Sequence, residues 1–474
     1  AATLSGAWAQ SSGPHIGYVY PAGGRQGTTC RVVVGGQLLA GADEAYVSGT
    51  GVRAAIIEYV RPLGNNELRD ADWFLRELVR RRWSLATMRY AAQSDDPPEL
   101  PDHPWLRDLD HKSRGELARL RRRLFDPRQQ PNTQIADQVQ LEISIAPDAP
   151  PGDRELRLAT PRGLTNPMLF QVGTLTEVRE EDAAEPTAAT VDLPAVLNGQ
   201  IMPGEEDRFH VRLRQGRQAV IRVQARRLVP YLADAVPGWF QPVVALLDPQ
   251  GREVAYADDN GSDPDPVLMY KAPADGVHTL EVRDSIYRGR DDFVYRVAVG
   301  ELPLVTRMFP LGAREGAAAM VAVSGWNLPT DKLSLDTAPG GGTVRQTRLP
   351  QARGLGNELP YAVDTLPEAL AAEPNDSAAA PQSVAPPVVL NGRIGQPGDV
   401  DCFRFAGRAG EEVVAEVLAR RLGSPVDSLL QLTGPDGVLV AANDDTDDPA
   451  AGLVAHQADS YLRVKLPADG DYVL

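Results

Sequence analysis

The chain has few of the residues that build covalent frameworks. Among its 474 residues are only two cysteines, Cys30 and Cys402, so the multi-bridge framework of small secreted domains is excluded. Cys30 alternates in phase with Val32 and Val34, whereas Cys402 alternates out of phase with the apolar residues that follow it. We therefore expect Cys30 to be buried and Cys402 to face outward, and we favour free thiols over a bridge between them.

Catalytic signatures are also missing. The six histidines include no His-Glu-x-x-His pair and no Cys-x-x-Cys-His haem site, and the chain has no Gly-x-Ser-x-Gly elbow, phosphate-binding loop or Rossmann glycine pattern. Asp102 with His103, and Asp110 with His111, are neighbours in sequence, where side chains seldom face one another. The sequence predicts no enzyme active site, no haem and no nucleotide. A catalytic domain beyond Leu474 is left open.

Basic residues are fewer than acidic ones. Lysine and arginine number 48 against 64 aspartates and glutamates, for a net charge of −16, which argues against nucleic acid as a partner. An acidic surface attracts divalent cations, although its commonest role is solubility. Arginine runs at 80–82 and 121–123 suggest either a docking site for an acidic partner or solvated helix faces. We favour solvated faces, because acidic residues are interspersed.

No apolar run reaches the roughly 18 residues needed to span a bilayer. Residues 1–13 resemble the remnant of a signal peptide, in which Ala7-Trp8-Ala9 fits the small-x-small cleavage rule, and the alternative is a disordered tail. We expect an exported protein in the periplasm, at the cell surface or outside the cell.

What the chain does contain is a duplication. Residues 20–39 (YPAGGRQGTTCRVVVGGQLL) recur at 309–328 (FPLGAREGAAAMVAVSGWNL), at an offset of 309 − 20 = 289. Ala225-Arg-Arg-Leu228 recurs as Ala419-Arg-Arg-Leu422, at an offset of 419 − 225 = 194. A two-module unit therefore occurs twice, and such arrays are usually scaffolds or binders.

The modules are predicted to be β-sandwiches. Gly 43 and Pro 40 occur without a collagen-like period and mark turns between short alternating segments. The predicted fold is all-β: Ig-like sandwiches at 14–175 and 301–364, and jelly-roll-type sandwiches at 176–300 and 365–474. The last of these aligns with its partner only as far as Leu280, so we expect its closing strands to lie outside the given sequence.

The first module carries an insert, at about 64–130, with helical spacing. Ser113 and Glu116 form a capping-box pattern ahead of the second of two expected helices. The apolar residues at helical spacing are Leu68, Ala71, Leu75, Leu78 and Val79, then Leu117, Leu120 and Leu124. The second short module is 98 residues shorter (289 − 191), so this insert is optional to the fold.

The repeated longer module is similar to the bacterial pre-peptidase C-terminal domain family, and the short module resembles TIG/IPT-type Ig-like domains. Together they resemble large exported multidomain proteins of planctomycete-type bacteria. The residues that carry the first likeness are Glu373-Pro-Asn-Asp-Ser377, Leu390-Asn-Gly392, Gly398-Asp-Val-Asp-Cys-Phe403, Asp427 with Leu429 and Leu430, Gly437, Asn443-Asp-Asp445 and Pro467-Ala-Asp-Gly-Asp-Tyr472. The resemblance implies β-sandwiches appended to secreted proteases and surface proteins, several of which bind calcium.

Carried over by that resemblance, the calcium ligands are Glu373, Asn375, Asp376, Asp399 and Asp401. Oxygen ligands from two backbone segments suit Ca²⁺, which takes six to eight oxygens at about 2.3–2.6 Å. The alternative is that these side chains only cap backbone N–H groups in tight turns.

The first copy departs from the pattern, so we expect it to bind calcium less well. Its entering segment is Glu185-Pro-Thr-Ala, and Glu205 and Asp207 stand where Asp399 and Asp401 do. Weaker candidates occur at matched hairpin loops, where Asp and Asn are also ordinary tips. These are Asp258, Asp259, Asp444 and Asp445.

The sequence favours a non-catalytic exported or cell-surface protein whose modules bind an extracellular protein or glycan, or act as spacers. One alternative is the accessory region of a larger secreted hydrolase such as a protease. Another is an envelope or lattice component that self-associates through sandwich edges. Trp239-Phe240, in an expansion of the first copy, is expected to be either a core-covering loop or a binding tip.

Overall fold

In the computed structural model the described residues are 13–83, 100–128, 132–180, 190–230, 238–261, 263–350, 355–446 and 458–474. They fold predominantly into short strands arranged in separate sheets, with two α-helices. The predicted all-β sandwich array with a two-helix insertion is confirmed. The chain divides into two compact units, Ala1–Glu301 and Leu302–Leu474. The expected signal-peptide remnant lies outside the described residues.

The first sandwich packs two antiparallel-rich sheets around alternating apolar residues. Its sheets have the strand orders β1-β3-β6-β5 and β2-β9-β7-β4, with β8 paired to β7. Val34, Leu141, Leu156 and Phe170 are fully buried between them. The strands are β1 (His15–Tyr20), β2 (Gly23–Arg25), β3 (Thr29–Gln37), β4 (Glu44–Val47), β5 (Val52–Val60), β6 (Asp137–Ile145), β7 (Gly152–Thr160), β8 (Gly163–Leu164) and β9 (Met168–Gly173).

The helical insert connects β5 to β6, which are hydrogen-bonded neighbours, so it replaces a hairpin loop. Helix α1 spans Asn65–Trp83 and helix α2 spans Arg114–Phe125. Ser113 and Glu116 form the expected reciprocal capping box at the start of α2. The insert has an apolar core of its own, formed by Ala71, Leu75, Leu78, Leu106, Leu109 and Leu117.

In the second sandwich the sheets have the orders β10-β11-β18-β13-β16 and β12-β17-β14-β15, so β18 lies at the centre of a five-stranded sheet. Phe209, Ile221, Leu280 and Tyr295 are fully buried between the sheets. The strands are β10 (Thr176–Arg179), β11 (Ala195–Gln200), β12 (Glu206–Leu213), β13 (Gln218–Gln224), β14 (Pro242–Leu247), β15 (Glu253–Ala257), β16 (Val267–Lys271), β17 (Gly276–Asp284) and β18 (Val294–Gly300).

The second unit contains the second copy of each module, as a third and a fourth sandwich. The third sandwich has the sheets β19-β21-β22 and β20-β24-β23. The fourth has one five-stranded sheet, β26-β28-β33-β30-β31, and two separate pairs, β25-β27 and β29-β32. The strands are β19 (Leu304–Phe309), β20 (Gly312–Arg314), β21 (Ala319–Trp326), β22 (Lys332–Leu335), β23 (Val344–Thr347), β24 (Leu359–Asp364), β25 (Glu368–Leu370), β26 (Gln382–Ser383), β27 (Val389–Asn391), β28 (Phe403–Gly407), β29 (Glu412–Glu416), β30 (Leu430–Thr433), β31 (Leu439–Asn443), β32 (Tyr461–Lys465) and β33 (Gly470–Val473).

The duplication extends to individual hydrogen bonds. The Asn166 side chain bonds both backbone groups of Ile16, at 2.7 and 3.0 Å. Asn357 bonds both backbone groups of Val305 in the same way, at 2.9 and 3.0 Å. These pairs are related by the sequence offsets 357 − 166 = 191 and 305 − 16 = 289. The repeated residues therefore perform the same structural task in both units.

The cysteine expectation was wrong for Cys402, which is 8% exposed and buried, whereas Cys30 is only half-buried. Both thiols are free. The Cys402 N–H donates to the Asn375 carbonyl, and its own carbonyl accepts from Gln382 N–H, so the segment that enters the fourth sandwich covers this cysteine. Alternation along a strand could not predict that a segment outside the strand covers Cys402.

Candidate metal site

Two backbone segments of the fourth sandwich converge on a group of carboxylates. The first, at 373–376, precedes β26, and the second, at 398–401, leads into β28. Asn375 is fully buried and its carbonyl accepts from Cys402 N–H at 2.8 Å, which fixes the first segment against the second. Gly398, with φ of +88°, permits the left-handed turn ahead of Asp399.

Three of the predicted ligands are brought together. Glu373, Asp376 and Asp399 each offer a carboxylate oxygen, and these oxygens lie within 4.8 Å of one another. Glu373 and Asp376 are exposed and Asp399 is half-buried, so the cluster opens to solvent. A single cation fits among oxygens at this separation, given Ca²⁺–oxygen distances of about 2.3–2.6 Å.

The other two predicted ligands adjoin the cluster and organise it. In the orientation that satisfies its hydrogen bonds, the Asn375 amide nitrogen donates to Glu373 Oε2 at 2.7 Å and to Asp401 Oδ1 at 3.3 Å. The Asn375 backbone N–H also donates to Glu373, at 3.2 Å. Asn375 thus positions two carboxylates from different segments, with its amide nitrogen rather than its oxygen facing them.

The carboxylates repel one another, and this repulsion helps to raise the pKa values of Glu373 and Asp401. The Asn375 N–H lowers the pKa of Glu373, but desolvation and the charges of Asp376, Asp401 and Asp399 outweigh it, so this pKa lies above its ordinary value. Burial, followed by the charges of Asp399 and Asp376, raises the pKa of Asp401 despite its bond with Asn375. A bound cation would relieve this repulsion.

The corresponding carboxylates of the first copy are engaged with protein groups. Asp207 is 8% exposed and accepts a 2.6 Å hydrogen bond from the Tyr295 hydroxyl. Glu205 accepts from Met202 N–H at 3.1 Å and lies 3.8 Å from the Arg122 guanidinium. Glu185 lies outside the described residues. Asp399, the counterpart of Glu205, likewise accepts a backbone N–H, from Gly395, so weaker calcium binding by the first copy stays a prediction.

The hairpin-loop aspartates are exposed turn residues, and in the described part of the chain none of them joins a cluster of three potential ligands. Asp258 accepts from the Tyr256 hydroxyl at 3.3 Å. In the other copy, Asn443 Oδ1 accepts from Tyr461 N–H at 2.8 Å, next to Asp444 and Asp445. These loops follow β15 and β31, and the next strands, β16 and β32, belong to different sheets, so the expectation of hairpin tips was wrong and the loops lead from one sheet to another.

The sequence neighbours Asp102 and His103 do not form a catalytic pair. His103 is 1% exposed, and its Nε2 lies 2.8 Å from the Arg61 carbonyl. Asp102 pairs instead with Arg107, at 3.1 Å. His103 thus serves as a structural cap of the insert.

The arginine run at 121–123 is not simply a solvated face. Arg122 lies 3.8 Å from Glu205 and Arg123 lies 3.9 Å from Asp291, both in the second sandwich. The Arg123 guanidinium also lies over the Trp105 ring, 4.5 Å from its centroid. Arg121 and Arg122 are exposed, as the sequence analysis favoured, and Arg123 is half-buried beside the second sandwich.

Trp239 and Phe240 were expected to form either a core-covering loop or a binding tip, and the two residues differ in burial. Phe240 is buried and stacks on Phe293, with ring centroids 5.1 Å apart. Trp239 is 38% exposed, and the Arg226 guanidinium lies 3.9 Å from its ring centroid. One residue covers the core and the other lies at the surface.

Sequence reasoning missed a second polar site. Asn198 donates to Glu177 at 2.8 Å, and in the other copy Asn391 donates to Glu368 at 3.0 Å. The available signal was the recurrence of Glu177 and of the Leu-Asn-Gly motif in both copies.

The comparisons with known proteins concern fold and a partial sequence match. No protein-family model matches the chain. A probable subtilase-type serine protease of Deinococcus radiodurans is 41% identical over 105 residues, which are 22% of this chain. The chain spans only 13% of that relative's length.

Solved structures show remote likeness. A mixed-linkage glucan utilisation protein, SGBP-B of Bacteroides ovatus, is 12% identical with a TM-score of 0.16, over 70% of this chain and 78% of its own. The D1–D4 ectodomain fragment of ICAM-5 is 11% identical with a TM-score of 0.12, over 95% and 98%. No helix among the described residues is long and apolar enough to cross a membrane.

Proposed function

We propose that this chain is a non-catalytic array of β-sandwich modules from an exported protein, and that its fourth sandwich is stabilised by calcium. The observation that carries the proposal is the convergence of oxygens from Glu373, Asp376 and Asp399 within 4.8 Å. The likeness of residues 365–474 to pre-peptidase C-terminal domains supports it, as does the donor set, which is made only of oxygens.

Calcium would act on structure rather than chemistry. Glu373 and Asp376 come from the segment ahead of β26, and Asp399 comes from the turn ahead of β28. A cation bound by all three would hold these segments together and offset the repulsion that raises the pKa of Glu373. The Asn375 side chain would preorganise the site, because it already bonds two of the carboxylates.

Isothermal titration of the 474-residue chain with Ca²⁺ tests the proposal, with Mg²⁺ as a competing ion. We expect one site, which Asp399→Asn abolishes. The matched control is Glu205→Gln, the corresponding position of the first copy, which should leave binding unchanged. Calcium at 100 times its Kd should stabilise the fourth sandwich by about 2.7 kcal/mol. Equal binding by wild type and Asp399→Asn would refute the site.

A second candidate function is favoured by one observation. The 41% identity to a probable subtilase-type protease over 105 residues supports a role as an accessory region of a larger secreted hydrolase. Such a region would bring a catalytic domain to its substrate, an extracellular protein or a glycan, without itself cleaving it.

Two assays separate these roles. The chain alone should not hydrolyse labelled casein, and hydrolysis would contradict a non-catalytic array. Adsorption to an insoluble protein such as gelatin, compared with adsorption to an insoluble polysaccharide, then distinguishes a substrate-targeting module from a spacer, which should adsorb to neither. Calcium-dependent self-association in sedimentation would favour a lattice component instead.

A further inference from the structure

The loop between β17 and β18 holds two large apolar side chains in solvent. Ile286 is 69% exposed and Tyr287 is 49% exposed. Tyr287 also has a φ of +60°, in the left-handed region that a bulky residue rarely adopts. Backbone strain of this kind persists only where the surrounding structure imposes it, and it is concentrated at functional sites.

Asp284 imposes the conformation of this loop. Its fully buried carboxylate accepts from the backbone N–H groups of Ile286 at 3.1 Å and Arg288 at 3.0 Å. The same carboxylate accepts from Gln241 N–H at 3.2 Å, ahead of β14. The Arg288 guanidinium bonds both Asp284, at 3.0 Å, and the Trp239 carbonyl, at 3.1 Å. The loop and the segment at 238–241 therefore form one preorganised surface.

Two guanidinium groups lie on the aromatic rings of this surface. Arg226 lies 3.9 Å from the ring centroid of Trp239, and Arg283 lies 4.9 Å from that of Tyr287. Within the described residues neither arginine forms an ion pair. Asp265 is near Arg226 but accepts from its backbone N–H, at 2.8 Å. The surface thus carries two positive charges without a bound carboxylate, in a chain whose net charge is −16.

This composition is that of a protein-binding surface. Tryptophan, tyrosine and arginine are the residue types most enriched among the residues that dominate protein–protein affinity. A guanidinium covers one face of each ring, where a sugar would otherwise stack, and Ile286 offers no hydrogen-bonding group. These contacts favour a protein segment over a glycan, and the two arginines favour a segment that carries carboxylates.

We propose that Trp239, Ile286 and Tyr287, together with Arg226 and Arg283, form a docking site for an acidic protein segment in which carboxylates flank an apolar side chain. The carboxylates bind the two guanidinium groups, and the apolar side chain packs against Ile286. This inference rests on the proposed role of the modules as binders and names the class of partner. It does not depend on the calcium site of the fourth sandwich.

Fluorescence anisotropy tests the site, with a labelled random copolymer of glutamate and tyrosine as the probe and the 474-residue chain as the receptor. A random copolymer samples many orders of acidic and aromatic residues, so one probe represents the class. We expect binding that weakens as the salt concentration rises. Polyglutamate, which lacks the apolar side chain, should bind about tenfold more weakly, and Arg283→Gln should weaken copolymer binding by about tenfold. The matched control is Arg212→Gln, an exposed arginine at the other end of β12, which should leave binding unchanged.

Tyr287→Gly keeps the test decisive against misfolding. Glycine adopts a positive φ without strain, so thermal stability should stay the same or rise, while copolymer binding should fall about thirtyfold. Equal binding by wild type and Tyr287→Gly, or equal losses in Arg283→Gln and Arg212→Gln, would overturn the site.

Calcium titration of the same preparation separates this inference from the proposed function. Calcium binding without copolymer binding would overturn the docking site alone, and loss of both would overturn the proposed function as well. Tighter binding of polygalacturonate, an acidic polysaccharide, than of the copolymer would identify a glycan as the occupant and overturn the protein segment.

Discussion

The Tyr295 hydroxyl donates a 2.6 Å hydrogen bond to the carboxylate of Asp207, and both residues are buried. In the fourth sandwich Asp401 occupies the position equivalent to Asp207 (401 − 207 = 194), and there it accepts from Asn375 and faces other carboxylates. One duplicated residue has thus become a core hydrogen-bond acceptor in one copy and a neighbour of the candidate metal site in the other.

Tyr295→Phe should destabilise the second sandwich, because it leaves the Asp207 carboxylate buried without its phenolic donor. The expected cost is about 1–3 kcal/mol in the free energy of unfolding, measured by urea denaturation. In an Asp207→Asn background the same substitution should cost less, because leaving a buried amide without a donor costs less free energy than leaving a buried carboxylate without one. Equal costs in both backgrounds would show that the carboxylate charge does not strengthen the bond, since the amide oxygen of the Asp207→Asn variant can still accept from the hydroxyl.

The acidic cluster predicts an unusual pH dependence without calcium. The folded pKa values of Glu373 and Asp401 are raised, so the folded state binds more protons than the unfolded chain in mild acid. Stability contributed by these groups should therefore increase as pH falls from 7 toward their folded pKa values, and it is lost again as pH rises.

Thermal unfolding in chelator between pH 7 and 5 measures this dependence. Glu373→Gln should flatten the slope, while Glu205→Gln, in the first copy, should not. Excess calcium should raise stability most at pH 7, because protons compete with the cation for the same oxygens. A wild-type slope that Glu373→Gln leaves unaltered would contradict the assignment.

Asp459 anchors the turn at 419–421. It is fully buried and accepts from the backbone N–H groups of Ala419, Arg420 and Arg421, with an ion pair to Arg421 at 2.9 Å. Asp459→Ala would leave these donors unpaired and should cost about 3–5 kcal/mol.

Asp459→Asn is the graded control for this turn. The amide oxygen can still accept from the backbone, so its cost in urea denaturation should be smaller than that of Asp459→Ala. Burial is the leading influence on the pKa of Asp459, but the bonds from Arg421 and the backbone hold it below the ordinary value. The contribution of this carboxylate should therefore be present above about pH 4 and lost as pH falls through its lowered pKa. Equal costs for the two variants would contradict a hydrogen-bonding role.

Asn166→Ala and Asn357→Ala should each release the first strand of an Ig-like module. Each asparagine bonds the N–H and the carbonyl of one buried residue, Ile16 or Val305. We expect a loss of about 1–3 kcal/mol in the unit that carries the substitution. Hydrogen exchange localised to β1 or β19 checks it, and faster exchange in the unsubstituted unit would indicate a different cause.

Much of the fold followed from sequence pattern. The offsets of 289 and 194 predicted a twice-repeated pair of modules, alternation predicted strands, and the spacing of Ala71, Leu75 and Leu78 predicted helix α1. These inferences succeeded because side-chain period and turn residues act locally along the chain. The Ser113–Glu116 capping box succeeded for the same reason.

Long-range contacts decided the rest. Alternation near Cys402 assigned the wrong face because residues from a distant segment, including Asn375, cover it. Of the arginines at 121–123, only Arg123 departs from the expected solvated face, because Asp291 of the second sandwich lies beside it.

By itself the sequence determined the duplicated all-β architecture and supplied the carboxylates of the candidate site. Only the tertiary structure decided which of them meet. Glu373, Asp376 and Asp399 converge. Asp207, the counterpart of Asp401, instead accepts a hydrogen bond from Tyr295. The physical reason is that an oxygen cluster depends on the positions of segments joined across a sheet, and a sequence records the residues of those segments without recording their distance.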